Sequence, residues 1–175
     1  MRHALARRLI RPALAALAGG MLLTGAPALA AGAPAQAAKP KGTLGPFGYR
    51  GVKLGMTAAQ ARATGKIRRE ASQGQCSAWD YRTRQTSRNG PDVLVSRRYG
   101  VAAILVDQRV RTPRGIGIGS TRKQLRRAYP DVRRAESGFL YAPAPRNREA
   151  HYVFVLSDRR ITQLGLILNE QDCAN

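Results

Sequence analysis

The side chains able to do chemistry are few, and their spacing excludes more than it admits. The chain has two histidines, His3 and His151, and His3 lies inside what reads as an export leader, so one imidazole remains. Acyl transfer by a serine or cysteine needs an imidazole oriented by an acid, and no Gly-x-Ser-x-Gly elbow precedes a helical stretch. The ten acidic residues are scattered, and several, such as Glu70 and Asp158, adjoin an arginine. That is the pattern of surface ion pairs, not of two carboxylates flanking a glycosidic bond. Gly115, Gly117 and Gly119 lack the lysine and the βαβ setting of a phosphate loop and read as turn geometry ahead of a helix. The chain is expected to be no enzyme, with no cofactor and no metal.

Binding is the better prospect. In the strand-like run Cys76 to Arg82, Trp79 and Tyr81 share one face and Cys76 and Ala78 the other. If the cysteine side meets a helix, the two rings point outward onto an open sheet beside Arg97, Arg98 and Tyr99 of the neighbouring strand. Aromatic rings next to arginines anchor a protein partner or a sugar ring. The reversed face would place both rings in the core. The two cysteines, Cys76 and Cys173, are expected to pair with each other. Pairing between molecules is the second choice, and a zinc site lacks the four clustered ligands it needs. A loop of close to a hundred residues closed this way is stabilised by ~4 to 5 kcal/mol in the chain-entropy account.

The expected compartment comes from the N-terminus. Arg2, Arg7, Arg8 and Arg11 precede an apolar stretch from Ala13 to Leu23 and then Ala28-Leu29-Ala30, which predicts a signal peptide over residues 1–30 cleaved after Ala30, with Ala37 as the next choice. Glycines and a proline interrupt the apolar run short of the ~20 residues that span a bilayer. A tether rich in Ala, Gly, Pro and Lys is expected over residues 31–46. The product is therefore read as secreted and monomeric, without a membrane span. Removing the four leader arginines takes the formal charge from +20 to +16. Much of it lies in the doublets Arg68-Arg69, Arg97-Arg98, Arg126-Arg127, Arg133-Arg134 and Arg159-Arg160. Such a surface favours anionic partners, and the expected ligand is a protein partner or an anionic envelope polymer, although a GC-rich coding bias yields the same composition. No groove-reading motif points to specific nucleic-acid binding.

The elements that must position these groups read as a duplicated unit. Gly51 to Gln60 aligns without a gap on Gly115 to Gln124, and in each copy a Thr stands three residues before a Gln. Thr57 with Gln60 and Thr121 with Gln124 form capping boxes, so each copy opens a short helix at the same place. Strand-like runs follow: Cys76 to Arg82, Asp92 to Tyr99 and Val101 to Val106, with a hairpin loop from Thr83 to Pro91 around Asn89-Gly90. The second half offers Phe139 to Ala142, His151 to Leu156 and Ile161 to Leu168, with Tyr152 and Phe154 on one face and Leu164, Leu166 and Leu168 likewise. These runs predict an α+β fold of two tandem repeats, residues 47–110 and 111–175. Each would be a short helical segment packed on a three- or four-stranded antiparallel sheet.

An apolar-x-apolar strand end, then Gly-Met-Thr or Gly-Ser-Thr, a short amphipathic helix and antiparallel strands, twice over from Gly48 to Cys173, resembles the beta-lactamase-inhibitory-protein-like group. More loosely it resembles BamE (SmpA/OmlA) lipoproteins, whose helix opens with a similar Gly-Met-Thr. The resemblance implies a secreted tandem-repeat protein of actinobacterial type whose sheets form a concave surface gripping another protein. Two departures set it apart: its aromatics are few and its surface basic, where the inhibitors use an aromatic surface and an acidic loop. It also lacks the acylated cysteine of BamE.

Overall fold

The structure, a computed structural model, describes residues 42–83 and 90–174. The expected signal peptide, the tether up to residue 41 and Asn89 of the hairpin loop lie outside the described residues.

Both capping boxes are present. Thr57 Oγ1 accepts from Gln60 N (3.2 Å) while Gln60 Oε1 accepts from Thr57 N (2.9 Å), opening helix α1, Ala58–Ala63. Thr121 and Gln124 make the same exchange at 3.2 and 2.7 Å at the start of α2, Arg122–Ala128. The reciprocal bonds satisfy two backbone donors that a short helix would leave open.

Among the described residues, twelve strands accompany the helices. Three short ones come first: β1 (Gly42–Thr43), β2 (Gly48–Tyr49) and β3 (Val52–Lys53). After α1 come β4 (Ile67–Gln73), β5 (Cys76–Tyr81), β6 (Val93–Ser96), β7 (Gly100–Val106) and β8 (Val110–Arg111). After α2 come β9 (Arg133–Arg134), β10 (Leu140–Ala144), β11 (Asn147–Ser157) and β12 (Arg160–Leu168). Eight of them form one antiparallel sheet in the order β4-β5-β6-β7-β12-β11-β10-β9.

The expected fold class is overturned by this arrangement. The chain is mostly strand, and it is not an α+β tandem of helix-on-sheet repeats. Helices of six and seven residues cover little of any face. Instead β7 pairs with β12 from Ala103↔Ile167 to Val106↔Leu164, so the sheet runs on where two units were expected. That pairing removes two exposed edges, each a row of open backbone donors and acceptors. Residues 42–44, at the end of the stretch read as a tether, belong to the fold. Leu44 is fully buried, and Gly42 and Thr43 pair in parallel with Val110 and Arg111 of β8. An apolar side chain and a paired backbone draw the segment in, and the buried Tyr152 hydroxyl donates to Leu44 O at 3.0 Å.

The core lies against one face of the sheet. Residues opposite one another across six strands, Trp79, Val93, Ile104, Leu166, Tyr152 and Ala142, are all buried. Ala61 of α1 and Leu125 of α2 pack into the same cluster. Tyr129, just past α2, sets its ring edge-on to Tyr152 (5.9 Å) and tilted against Phe154 (5.7 Å). Cys76 and Cys173 form a disulfide across 97 residues, with their Cα atoms 5.7 Å apart.

Candidate binding face

Alternation along the strands sends the neighbours of the core residues to the opposite face. There Leu105, Gly165, Val153, Tyr141 and Arg133 stand in one row across five strands. Ala78, Leu94, Ala103, Ile167, His151 and Pro143 stand in the next. Leu94, Leu105, Tyr141, Val153, Val155 and Ile167 are only half-buried, and Phe139 beside them is 42% exposed. Such side chains facing outward from a sheet make an apolar surface, the kind that marks interaction sites.

The surface is hollow. A depression of about 360 Å³ is floored by Leu105, Gly165, Val153 and Ile167 and reaches Phe139. Gly165 lies at its centre, between Leu105 of β7 and Val153 of β11. A Cβ there would stand 3.4 Å from the Ile104 carbonyl oxygen and 3.7 Å from Leu105, which is ordinary contact. Neither crowding nor a left-handed backbone requires glycine here, and the missing side chain leaves the floor of the depression open to close approach.

The rim is polar and fixed. Asn169 Nδ2 donates to Arg148 O (2.7 Å), which orients the amide so that Oδ1 faces His151 Nδ1 at 2.8 Å. Nδ1 is therefore the donor of this pair, which fixes the ring against the amide. Beyond Asn169 the C-terminal segment is tied by the disulfide to β5, and Gln171 and Ala174 wall the depression. Gln171 Oε1 accepts from Cys173 N (2.7 Å) and Ala174 N (2.6 Å), holding the segment in a tight turn.

The structure separates the residues singled out in the sequence. Trp79 and Tyr81 do not point onto the open face; they are 6% and 5% exposed and belong to the core. The disulfide lies on the other side of β5, so the face is the reverse of the one that would expose the rings. Trp79 Nε1 donates to Ser77 Oγ (2.9 Å) and Tyr81 Oη to Tyr49 O (3.1 Å), so both polar ends are satisfied inside. Burial pushes the Tyr81 phenol far above its ordinary range. Arg97 and Trp79 line a separate depression together with Arg62 and Arg69. Arg98 stacks on Tyr99 (5.0 Å), and neither lines that depression. Both thiols are consumed by the disulfide, so the pair offers no metal ligand.

Sequence reasoning missed Leu94, Leu105, Val153, Val155 and Ile167. Their signal was present: once Tyr152 and Phe154 are assigned inward, two valines on the outward side of the same strand are unusual for a solvated face.

No family model matches this chain, and neither does any curated protein. Among solved structures, the crystal structure of the uncharacterized protein yfeY from Escherichia coli is similar at a TM-score of 0.41 and 12% identity, over 74% of this chain and 99% of that one. So distant a likeness carries no functional argument.

Proposed function

We propose that the protein is a non-catalytic secreted binding protein that holds an acidic protein partner on the open face of its sheet. The observation that carries the reading is the apolar depression around Gly165, set in a chain whose formal charge is +16 once the expected leader is removed. Apolar floor with polar rim is the anatomy of a protein-binding patch, and the excess positive charge speeds encounter with acidic partners. Secretion rests on the leader-like N-terminus, and the disulfide agrees with an oxidising compartment. The reading is of the same kind as the resemblance to the beta-lactamase-inhibitory-protein-like group implies, without the aromatic surface that inhibition there employs. Anionic envelope polymers would engage the exposed arginines alone and leave the depression unused.

The test is affinity capture from the source organism's envelope and medium with the purified chain and with Val153→Glu, whose side chain is half-buried on the open face. A specific protein retained by the native chain and lost by the variant supports the reading. Equal recovery by Val153→Glu, with loss only in Arg97→Glu/Arg98→Glu, assigns binding to the charged surface and sinks the open-face site.

A further inference from the structure

A second depression, of about 340 Å³, adjoins the apolar one and shares Ser137, Phe139 and Val155 with it. Three arginines, Arg122, Arg134 and Arg159, line it, with no acidic residue among its lining. Some of the neighbouring arginines are engaged in the fold. Arg111 donates to Ile118 O and Ser120 Oγ, Arg114 to Ala128 O, and Arg160 to Gly119 O. The side chains of Arg122, Arg134 and Arg159, by contrast, form no hydrogen bond or ion pair among the described residues. Arg122 Nε is buried and still donates to nothing there. A buried guanidinium donor without an acceptor costs free energy, and the arginine side chains that line the depression offer charge-assisted hydrogen bonds to an anion.

The three groups are carried on a fixed frame. Arg122 N donates to Arg159 O (2.9 Å), and Gly119 N and Ile161 N bond across the same junction, joining the start of α2 to the β11–β12 turn. Arg159 occupies that turn at φ 64°, a conformation in which glycine costs least. Gly138, at φ 88°, has no side chain to fill the space beside the Arg134 guanidinium.

We infer that Arg122, Arg134 and Arg159 form an anion subsite that takes a carboxylate of the protein segment seated in the apolar depression. The inference rests on the open-face reading and adds the chemistry of its ligand: apolar side chains over Gly165 and Val153, followed by an acidic group beyond Phe139. A peptide fits better than a lipid chain because the lining includes Gln163, whose amide can bond a peptide backbone and has no use for an alkyl chain.

Two dyes separate the parts in titrations of the purified chain: neutral Nile red reads the apolar depression, and 8-anilinonaphthalene-1-sulfonate reads depression and arginines together. Arg122→Gln and Arg159→Gln are expected to weaken the sulfonate dye by about tenfold each and to leave Nile red unchanged. Arg126→Gln, equal in charge loss but outside the depression, is expected to weaken neither. Equal weakening by Arg126→Gln, or none by the other two, overturns the subsite while leaving the open-face reading in place. Failure of Nile red to bind the native chain sinks the open-face reading instead. Displacement of the sulfonate dye by acetyl-Val-Leu-Phe-Asp-amide but not by its Asn counterpart, also amidated, supports the peptide carboxylate. Displacement by dodecyl phosphate alone overturns it in favour of an amphiphile.

Discussion

At the scale of single residues, Gly165 sets function against stability. Glycine inside a strand costs roughly 0.5 to 1 kcal/mol relative to alanine, and at this position a Cβ has room. Gly165→Ala should therefore raise the urea midpoint while filling the floor of the depression and weakening Nile red; a variant both less stable and equally dye-competent would show that the glycine serves the backbone. Tyr152 is the opposite case, a polar group the core depends on. Its hydroxyl satisfies Leu44 O, so Tyr152→Phe leaves a buried acceptor unpaired and should cost about 1 to 3 kcal/mol in denaturant unfolding. The same residue sets a pH limit. Burial raises the folded-state phenols of Tyr49, Tyr81, Tyr129 and Tyr152 above their ordinary value near 10. The unfolded chain then loses its phenolic protons first, so this stabilisation is complete below pH ~10 and declines as pH rises above it. Unfolding midpoints measured between pH 8 and 11 should fall at the alkaline end, and less steeply in Tyr152→Phe.

At the scale of elements, local chemistry was legible wherever a side chain bonds its own neighbours. Thr57, Gln60, Thr121 and Gln124 announce their helices because a capping box is complete within four residues. Thr121→Ala should cost about 1 kcal/mol, read by thermal unfolding. The β11–β12 turn, with Asp158 at φ 49° and Arg159 at φ 64°, holds two side chains in a region they disfavour. Arg159→Gly should gain about 1 kcal/mol in stability and at the same time weaken the sulfonate dye. A gain without that loss would make Arg159 a turn residue and nothing more. Strand β4 was not legible: Arg68 to Gln73 is exposed throughout and carries no apolar alternation. It is a strand because β5 offers its edge from Ile67↔Tyr81 to Gln73↔Cys76, a pairing that no six-residue window encodes.

At the scale of the whole molecule, the disulfide joins β5 to the C-terminal segment that walls the depression. Cys76→Ser/Cys173→Ser should lower stability by up to ~4 to 5 kcal/mol, measured by denaturant unfolding, and weaken Nile red through the released wall. Unchanged dye affinity in the variant would show that the wall stays in place without its covalent tie.

The partition between what the sequence determined and what only tertiary structure decided follows the range of the interactions. Two capped helices, strands with alternating apolar residues and a basic surface are written in neighbouring residues, because capping, alternation and charge each act over a few positions. The fusion into one sheet depends on Ala103–Val106 meeting Leu164–Ile167, some sixty residues on in the chain, and backbone pairing is nearly blind to side-chain identity. The same distance decides the site. Alternation places Trp79 and Tyr81 on one face of β5, but which face is inner is settled by where the neighbouring strands and helices pack. The three arginines come from α2, β9 and the β11–β12 turn, and no spacing in the chain foretells that they share one hollow.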